Sequence, residues 1–398
     1  MIAFEDGTHG DFNDAYYGVT AKKITLQSVN FSGNQTVVRD QGGDYTGPQW
    51  LDTDMNGQIN DPGVTTPYSN GTIDGATEYV YPVSYMRSST GHDSRLTATV
   101  SLPYSATAGS GWLIKGSAAG YTFPAQSVSA SGGALTATLT AQEAVPQAIR
   151  DTEVDITWQL STDGGASFFT VGENSNRVYV TGGNANGAHE TVLDIGCGSA
   201  DGVNMREDYL ASDQRTAVDH IWGKFSGLNV KRVDGTLMQY NHDADTGMHA
   251  PGMLAHPSGK GQCTAWADLL VKTLGAQGIS ANPLDIASNQ RLSDSGFTVR
   301  AMPAQGSQGA DYVVATTHGT TQGGFVFHEI VNVGVYPDRL FDPSYGGVAY
   351  AGGGLSRLAV YENQNVIDVW QTGSSQWIQQ SHADEDLLLG SPGCFIWT

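Results

Sequence analysis

Along the first 185 residues, short runs of alternating apolar and polar side chains are broken by Gly, Asn, Ser and Asp. Residues 24–31, 79–85, 96–102, 112–115, 135–139, 154–160 and 177–181 carry this alternation or a β-branched stretch. A two-residue period buries one face of a strand and wets the other, so each run predicts a half-buried strand. Turn residues such as Asp163-Gly164-Gly165 separate the runs, and strands at this spacing predict one or two antiparallel sandwiches, Ig-like in kind. No fixed repeat runs through the region, which argues against a solenoid or propeller.

The pattern changes after residues 182–187, a small, polar, aperiodic stretch that predicts a linker. From about 208 to 225, Leu210, Ala217, Val218, Ile221, Trp222 and Phe225 fall three and four residues apart, predicting an amphipathic helix. A second helix is predicted over 262–277, with Ala265, Trp266, Leu269, Leu270, Thr273 and Leu274 facing inward. Gly278 then supplies the left-handed residue that commonly ends a helix. Two strands are predicted at 324–332 and 338–343, and the last fifty residues carry strand-like pieces with Trp370 and Trp377. The fold class is therefore multidomain, with an all-β sandwich region over 1–185 and an α+β domain over 190–398.

Composition narrows the partners. Forty acidic against 19 basic residues leave a formal charge of −21, a field that repels nucleic acid and anionic membrane and offers carboxylates to cations. No apolar run reaches the length of a membrane span. The acidic, lysine-poor, strand-rich composition leads us to expect an exported protein, secreted or at the cell surface, whose signal segment is absent from this sequence. Three cysteines are present. Cys197 and Cys394 either pair across the ends of the second domain or are two small buried thiols.

The third, Cys263, stands at the predicted start of the 262–277 helix, after Gly259-Lys260-Gly261. A thiol there meets free backbone amides and the positive end of the helix dipole, both of which favour thiolate. Gly261 is read as room for a substrate to approach. His328 lies on the predicted strand 324–332, where burial demands a hydrogen-bond partner, and Asp342 closes the next strand before Pro343. On adjacent antiparallel strands the two would sit side by side, the carboxylate orienting the imidazole. Taken singly, each residue also has a packing explanation. Taken together they read as nucleophile, base and orienting acid.

Those residues carry a family likeness. The run Gly261-Gln262-Cys263-Thr264-Ala265-Trp266-Ala267-Asp268-Leu269-Leu270, ending at Gly278-Ile279, resembles the nucleophile helix of the transglutaminase-like superfamily. His328 and Asp342-Pro343-Ser344 resemble its later elements, in the family's order and spacing. The resemblance covers roughly residues 200 to 350. It implies a papain-like Cys-His-Asp fold in which Cys263 attacks a peptide or glutamine carboxamide and forms a thioester. The enzyme would then be a peptidase or deamidase, or a protein cross-linking acyltransferase, with a protein or peptide substrate and no cofactor needed for the chemistry. An upstream Trp supplies one oxyanion donor in animal transglutaminases, which makes Trp222 a candidate beside its core-packing role; Gln262 is the alternative. Thr264 stands where members often have an aromatic, and Glu329-Ile330 follow the histidine, which leaves acceptor and substrate open. The competing class is a non-enzymatic surface or adhesion protein using such a fold as a binding module. It predicts a buried thiol, or a Cys263, His328 and Asp342 out of mutual reach.

A second candidate site is the loop from Asp52 to Asp61. Asp52, Asp54 and Asn56 supply oxygens at alternate positions, Gly57 permits the tight bend, and the Gln58 carbonyl follows. Gly63 stands where such loops carry a bidentate carboxylate, so Asp61 would have to compensate. The segment reads either as a structural calcium site or as an Asx-rich surface loop. His242, His249 and His256 fall in a stretch read as loop at the rim of the Cys263 cleft.

Overall fold

The computed structural model describes residues 24–41, 45, 47–52, 71–73, 76–89, 93–103, 111–131, 133–205, 211–241, 247–288, 297–299, 303–306, 327–351, 355–371, 376–379 and 387–390. These residues form a β-rich chain with several sheets and few helices.

The alternating runs become strands of two sheets that share one hydrophobic core. In Arg95–Pro103, at the middle of a seven-stranded sheet, every second residue is buried: Leu96, Ala98, Val100 and Leu102. On its other face Thr97 and Thr99 hydrogen-bond Thr140 and Thr138 across the ladder to Ala134–Ala144. The facing five-stranded sheet contributes Ile114, Ile156, Trp158 and Val178 to the same core. The run expected over 79–85 divides into Ala76–Val80 and Val83–Met86, which belong to different sheets. Pro82 lies in the break, where the missing N–H interrupts the ladder and the chain crosses between layers.

A second core is built around helices. In chain order they are α1 (Glu190–Ser199), α2 (Ala211–Ser226), α3 (Ala250–Ala255), α4 (Cys263–Ala276) and α5 (Arg357–Asn365). Helix α4 packs on a sheet ordered Gly347–Tyr350, Arg339–Asp342, Phe327–Val333, Ala281–Ser288, Leu387–Gly390. Its six expected inward residues are all buried. It ends as a left-handed cap requires: Gly278 has φ 73°, the Gly278 amide bonds Gly275 O, and the Ile279 amide bonds Leu274 O.

Three expectations change. Helices α1 and α3 were not foreseen, and α5 lies where only strand-like pieces were read. The stretch 182–187 is a packed seam. The Gly182 amide donates to Gln277 Oε1 at 2.8 Å and the Gly183 amide to Ala276 O at 3.1 Å. A side chain at Gly183 would meet the Gly278 backbone at 2.5 Å, so glycine is there for close approach. Just beyond, Ala188–His189 pairs in parallel with Val37–Val38 of the first region.

Candidate active site

Cys263 is the first residue of α4, following Gln262 in extended conformation at the N-cap. The first amide bonded back along the helix is that of Trp266, to Gln262 O at 3.1 Å, so the earlier amides point out of the helix end beside the thiol. The segment in front is a parallel pair in which Gly261 lies opposite Tyr240. Gly261 does not make room for a substrate as expected. A side chain there would collide with Met253 of α3 and with Ala265, so the glycine admits α3 against the helix start. Helix α3 is itself held to α4, its Ala250 amide donating to Asp268 Oδ2 at 2.9 Å.

His328 and Asp342 come from neighbouring antiparallel strands. Val331 lies opposite Phe341, which puts Asp342 across from Ile330, two residues along the same face from His328. The imidazole Nε2 and Asp342 Oδ2 are 2.9 Å apart, and both residues are buried. Three further donors fix the carboxylate. The amides of Ser344 and Tyr345 donate to Oδ1 at 3.1 and 3.3 Å, and the Tyr361 hydroxyl donates to Oδ2 at 3.0 Å. The turn after Asp342 thus aims the carboxylate at the imidazole.

Burial alone would make His328 harder to protonate. The Asp342 charge and hydrogen bond outweigh it, with a further contribution from hydrogen bonding and charge at Cys263, and carry the imidazole up to about 10. With Nε2 engaged by the carboxylate, Nδ1 is the nitrogen left for the thiol. The arrangement therefore brings together a thiol at a helix start, an imidazole of raised proton affinity and a positioned carboxylate. It is also enclosed: Cys263 is only 4% exposed and His328 0%.

Two tyrosines near the thiol were not singled out from the sequence. Tyr240 and Tyr345 are buried, with ring centroids 5.2 Å apart, and the Tyr345 ring lies 5.3 Å from that of His328. A strand of two residues and a turn tyrosine carry no periodic signal, and only the fold assembles them. Glu329, which follows His328, is buried too. Burial, then the charge and hydrogen bond of Asp285 opposite it in the ladder, push its carboxyl up to about 8.

The remaining candidates separate. Trp222 packs in an aromatic group, stacked 6.3 Å from Phe225 and edge-on to Phe341 at 5.1 Å, and among the described residues no hydrogen bond joins it to Cys263. Gln262 is half-buried beside the thiol, its amide bonded to Gly247 O at 3.0 Å. Cys197 is a free, buried thiol in α1, accepting from Gln277 Nε2 at 3.5 Å, with burial pushing it well up; Cys394 lies outside the described residues. Asp52 is buried after the strand Trp50–Leu51, its amide bonded to Gln27 O, whereas Asp54, Asn56, Gln58 and Asp61 lie outside the described residues. His249 and His256, read as loop, are the two caps of α3, and His256 Nδ1 accepts the Ser258 amide at 3.1 Å; His242 lies outside the described residues. No helix among the described residues is long and apolar enough to cross a membrane.

No protein-family model matches the chain, and no curated protein matches it. Among solved structures, red sea bream transglutaminase is similar, at 12% identity and a TM-score of 0.27, over 65% of this chain and 48% of that one. The chain spans about half the length of that structure. A likeness this distant carries no argument, so the functional reading rests on the residues themselves.

Proposed function

We propose that this chain is a thiol-dependent, amide-acting enzyme of transglutaminase-like kind, an Ig-like sandwich region leading a papain-like domain. The observation that supports it is the buried line from Cys263 through His328 to an Asp342 held by three donors besides the imidazole. His328 takes the thiol proton and the sulfur attacks a peptide or glutamine carboxamide carbon. The C–N bond breaks as the imidazolium returns its proton to the leaving amine, and a thioester remains. Water resolves it in a peptidase or deamidase, an amine in an acyltransferase, and we rank hydrolysis ahead because no acceptor-side residue is recognisable. The acidic composition favours an exported protein acting on protein or peptide.

A second reading, a binding module with a retired site, is favoured by the enclosure of Cys263. One experiment separates the two. Glutamine peptides are incubated with the protein, with and without an added primary amine, while peptide cleavage, ammonia release and amine incorporation are followed. The enzyme reading expects turnover that Cys263→Ala abolishes. No turnover, together with failure of iodoacetamide to label native Cys263, would leave the binding module.

A further inference from the structure

We propose that Tyr345 is the second oxyanion donor of this site and that Tyr240 is the residue that positions it, a proposal that rests on the thiol chemistry above. Attack by Cys263 puts negative charge on a carbonyl oxygen. The Cys263 amide at the helix start is one donor, and stabilising that charge calls for a second, worth about 100-fold or more in rate. Trp222 belongs to an aromatic stack. Gln262 is beside the thiol, but its side chain is not buried among fixed partners.

The tyrosine pair meets the requirement from two sides. Tyr240 is opposite Gly261 in the parallel ladder, two residues before the nucleophile, and its amide is held by Gln305 O at 3.0 Å. Tyr345 stands in the turn after Asp342, its amide bonded to that carboxylate and its ring beside His328. The charge of Cys263 acts on both phenols, and the two rings pack against each other with centroids 5.2 Å apart. A phenol hydroxyl has a proton to give to a carbonyl oxygen, and the Tyr240 and His328 rings packed on Tyr345 hold that phenol in place. Burial pushes both phenols well above the ordinary range, so they stay protonated wherever the thiol chemistry runs. The same backbone bonds that orient the catalytic carboxylate therefore also fix this donor.

The test uses two probes of the same sulfur. p-Nitrophenyl acetate acylates a thiol through an oxyanion and releases p-nitrophenolate without needing a general acid. Iodoacetamide alkylates by displacement at carbon and forms no oxyanion. Tyr345→Phe is expected to slow the p-nitrophenolate burst about 100-fold, and Tyr240→Leu, which removes the packed ring, about tenfold, with iodoacetamide alkylation within about twofold of wild type in both. A Tyr345→Phe burst at the wild-type rate overturns the proposal. So does an equal fall in burst and alkylation, which marks a structural role, and Tyr240→Leu gives the same comparison should Tyr345→Phe not fold. A wild-type protein without any Cys263-dependent burst is a different result, and it removes the thiol reading itself.

Discussion

The sandwich and the thiol-bearing core each bury a connected group of polar side chains, and the two groups differ in kind. In the sandwich, Trp158 Nε1 donates to Asn174 Oδ1 at 2.6 Å and Asn174 Nδ2 donates to Asn176 Oδ1 at 2.7 Å. Asn176 Nδ2 then donates to the carbonyls of Gln49 and Tyr81, both at 3.0 Å. Every link is neutral, and the line ends on backbone next to Pro82, where the chain changes sheets. In the second core, beside neutral groups such as Thr273, Gln277, Gln305 and Ser344, burial takes in Cys263, His328, Asp342, Tyr240, Tyr345, Tyr361, Asp285 and Glu329, each of them titratable. A satisfied amide line fixes register with little electrostatic penalty. A buried titratable cluster opposes folding unless each charge is paired, and such clusters gather where proton transfer is done. The contrast fits the proposal that proton transfer is done in the second core.

The largest effect that could break this comparison is expected from Asp342→Asn. The imidazole would lose its orienting carboxylate, and turnover should fall by about 10⁴, the size seen when such an acid is neutralised in a comparable triad. Stability should fall as well, by about 3 kcal/mol, because a buried cation loses its partner. The sign follows from His328, whose folded value of about 10 exceeds its ordinary 6.5. Its contribution is complete below about pH 6.5 and is lost as pH climbs through 10, so the gap from wild type should be widest in acid and close in alkali. Urea unfolding at several pH values measures it. A gap that widens toward pH 10 would mean that His328 is held neutral.

Asn174→Ala is the matching change in the sandwich, with a smaller expected effect. Removing the middle of the amide line strands the Trp158 N–H and the Asn176 carbonyl oxygen, which should destabilise by about 2 kcal/mol at every pH. Turnover by the folded protein should be unchanged. If turnover falls while unfolding is unaffected, the two regions are coupled and the division of labour fails.

How far each region could be read from sequence follows from what holds it. Period-two alternation marked strands such as Arg95–Pro103 because one face of each is dry. Helix α4 was legible to within one residue at each end because both its apolar stripe and its Gly278 stop are local signals. Cys263, His328 and Asp342 could be assembled because two of them lie on adjacent strands and the third opens that helix. Tyr240 and Tyr345 were not legible: one sits on a two-residue strand, the other in a turn, and their neighbourhood exists only after parallel pairing and sheet packing. The misread glycines show the same limit. Gly182 and Gly183 read as linker and Gly261 as room for a substrate, whereas in the fold each marks a place where two backbones or an incoming helix press close.

The smallest effect concerns the cost of burying charge in the second core. Glu329 shares its surroundings with Asp285 across the ladder, with His328 beside it in sequence and with Asp268 of α4. Burial, then Asp285, raise its carboxyl from 4.5 to about 8, so the folded protein retains a proton that the unfolded chain releases. The stability this proton carries is complete below about pH 4.5 and is lost as pH rises through 8. Glu329→Gln keeps the shape and a hydrogen-bond donor toward Asp285 but cannot ionise. Its stability relative to wild type should therefore be level in acid, improve between about pH 4.5 and 8, and level off above. The opposite slope, with Glu329→Gln losing ground as pH rises, would mean an ionised Glu329 paired to a cation. The second core would then carry a structural ion pair beside the proposed catalytic line, and buried charge there would no longer point to chemistry alone.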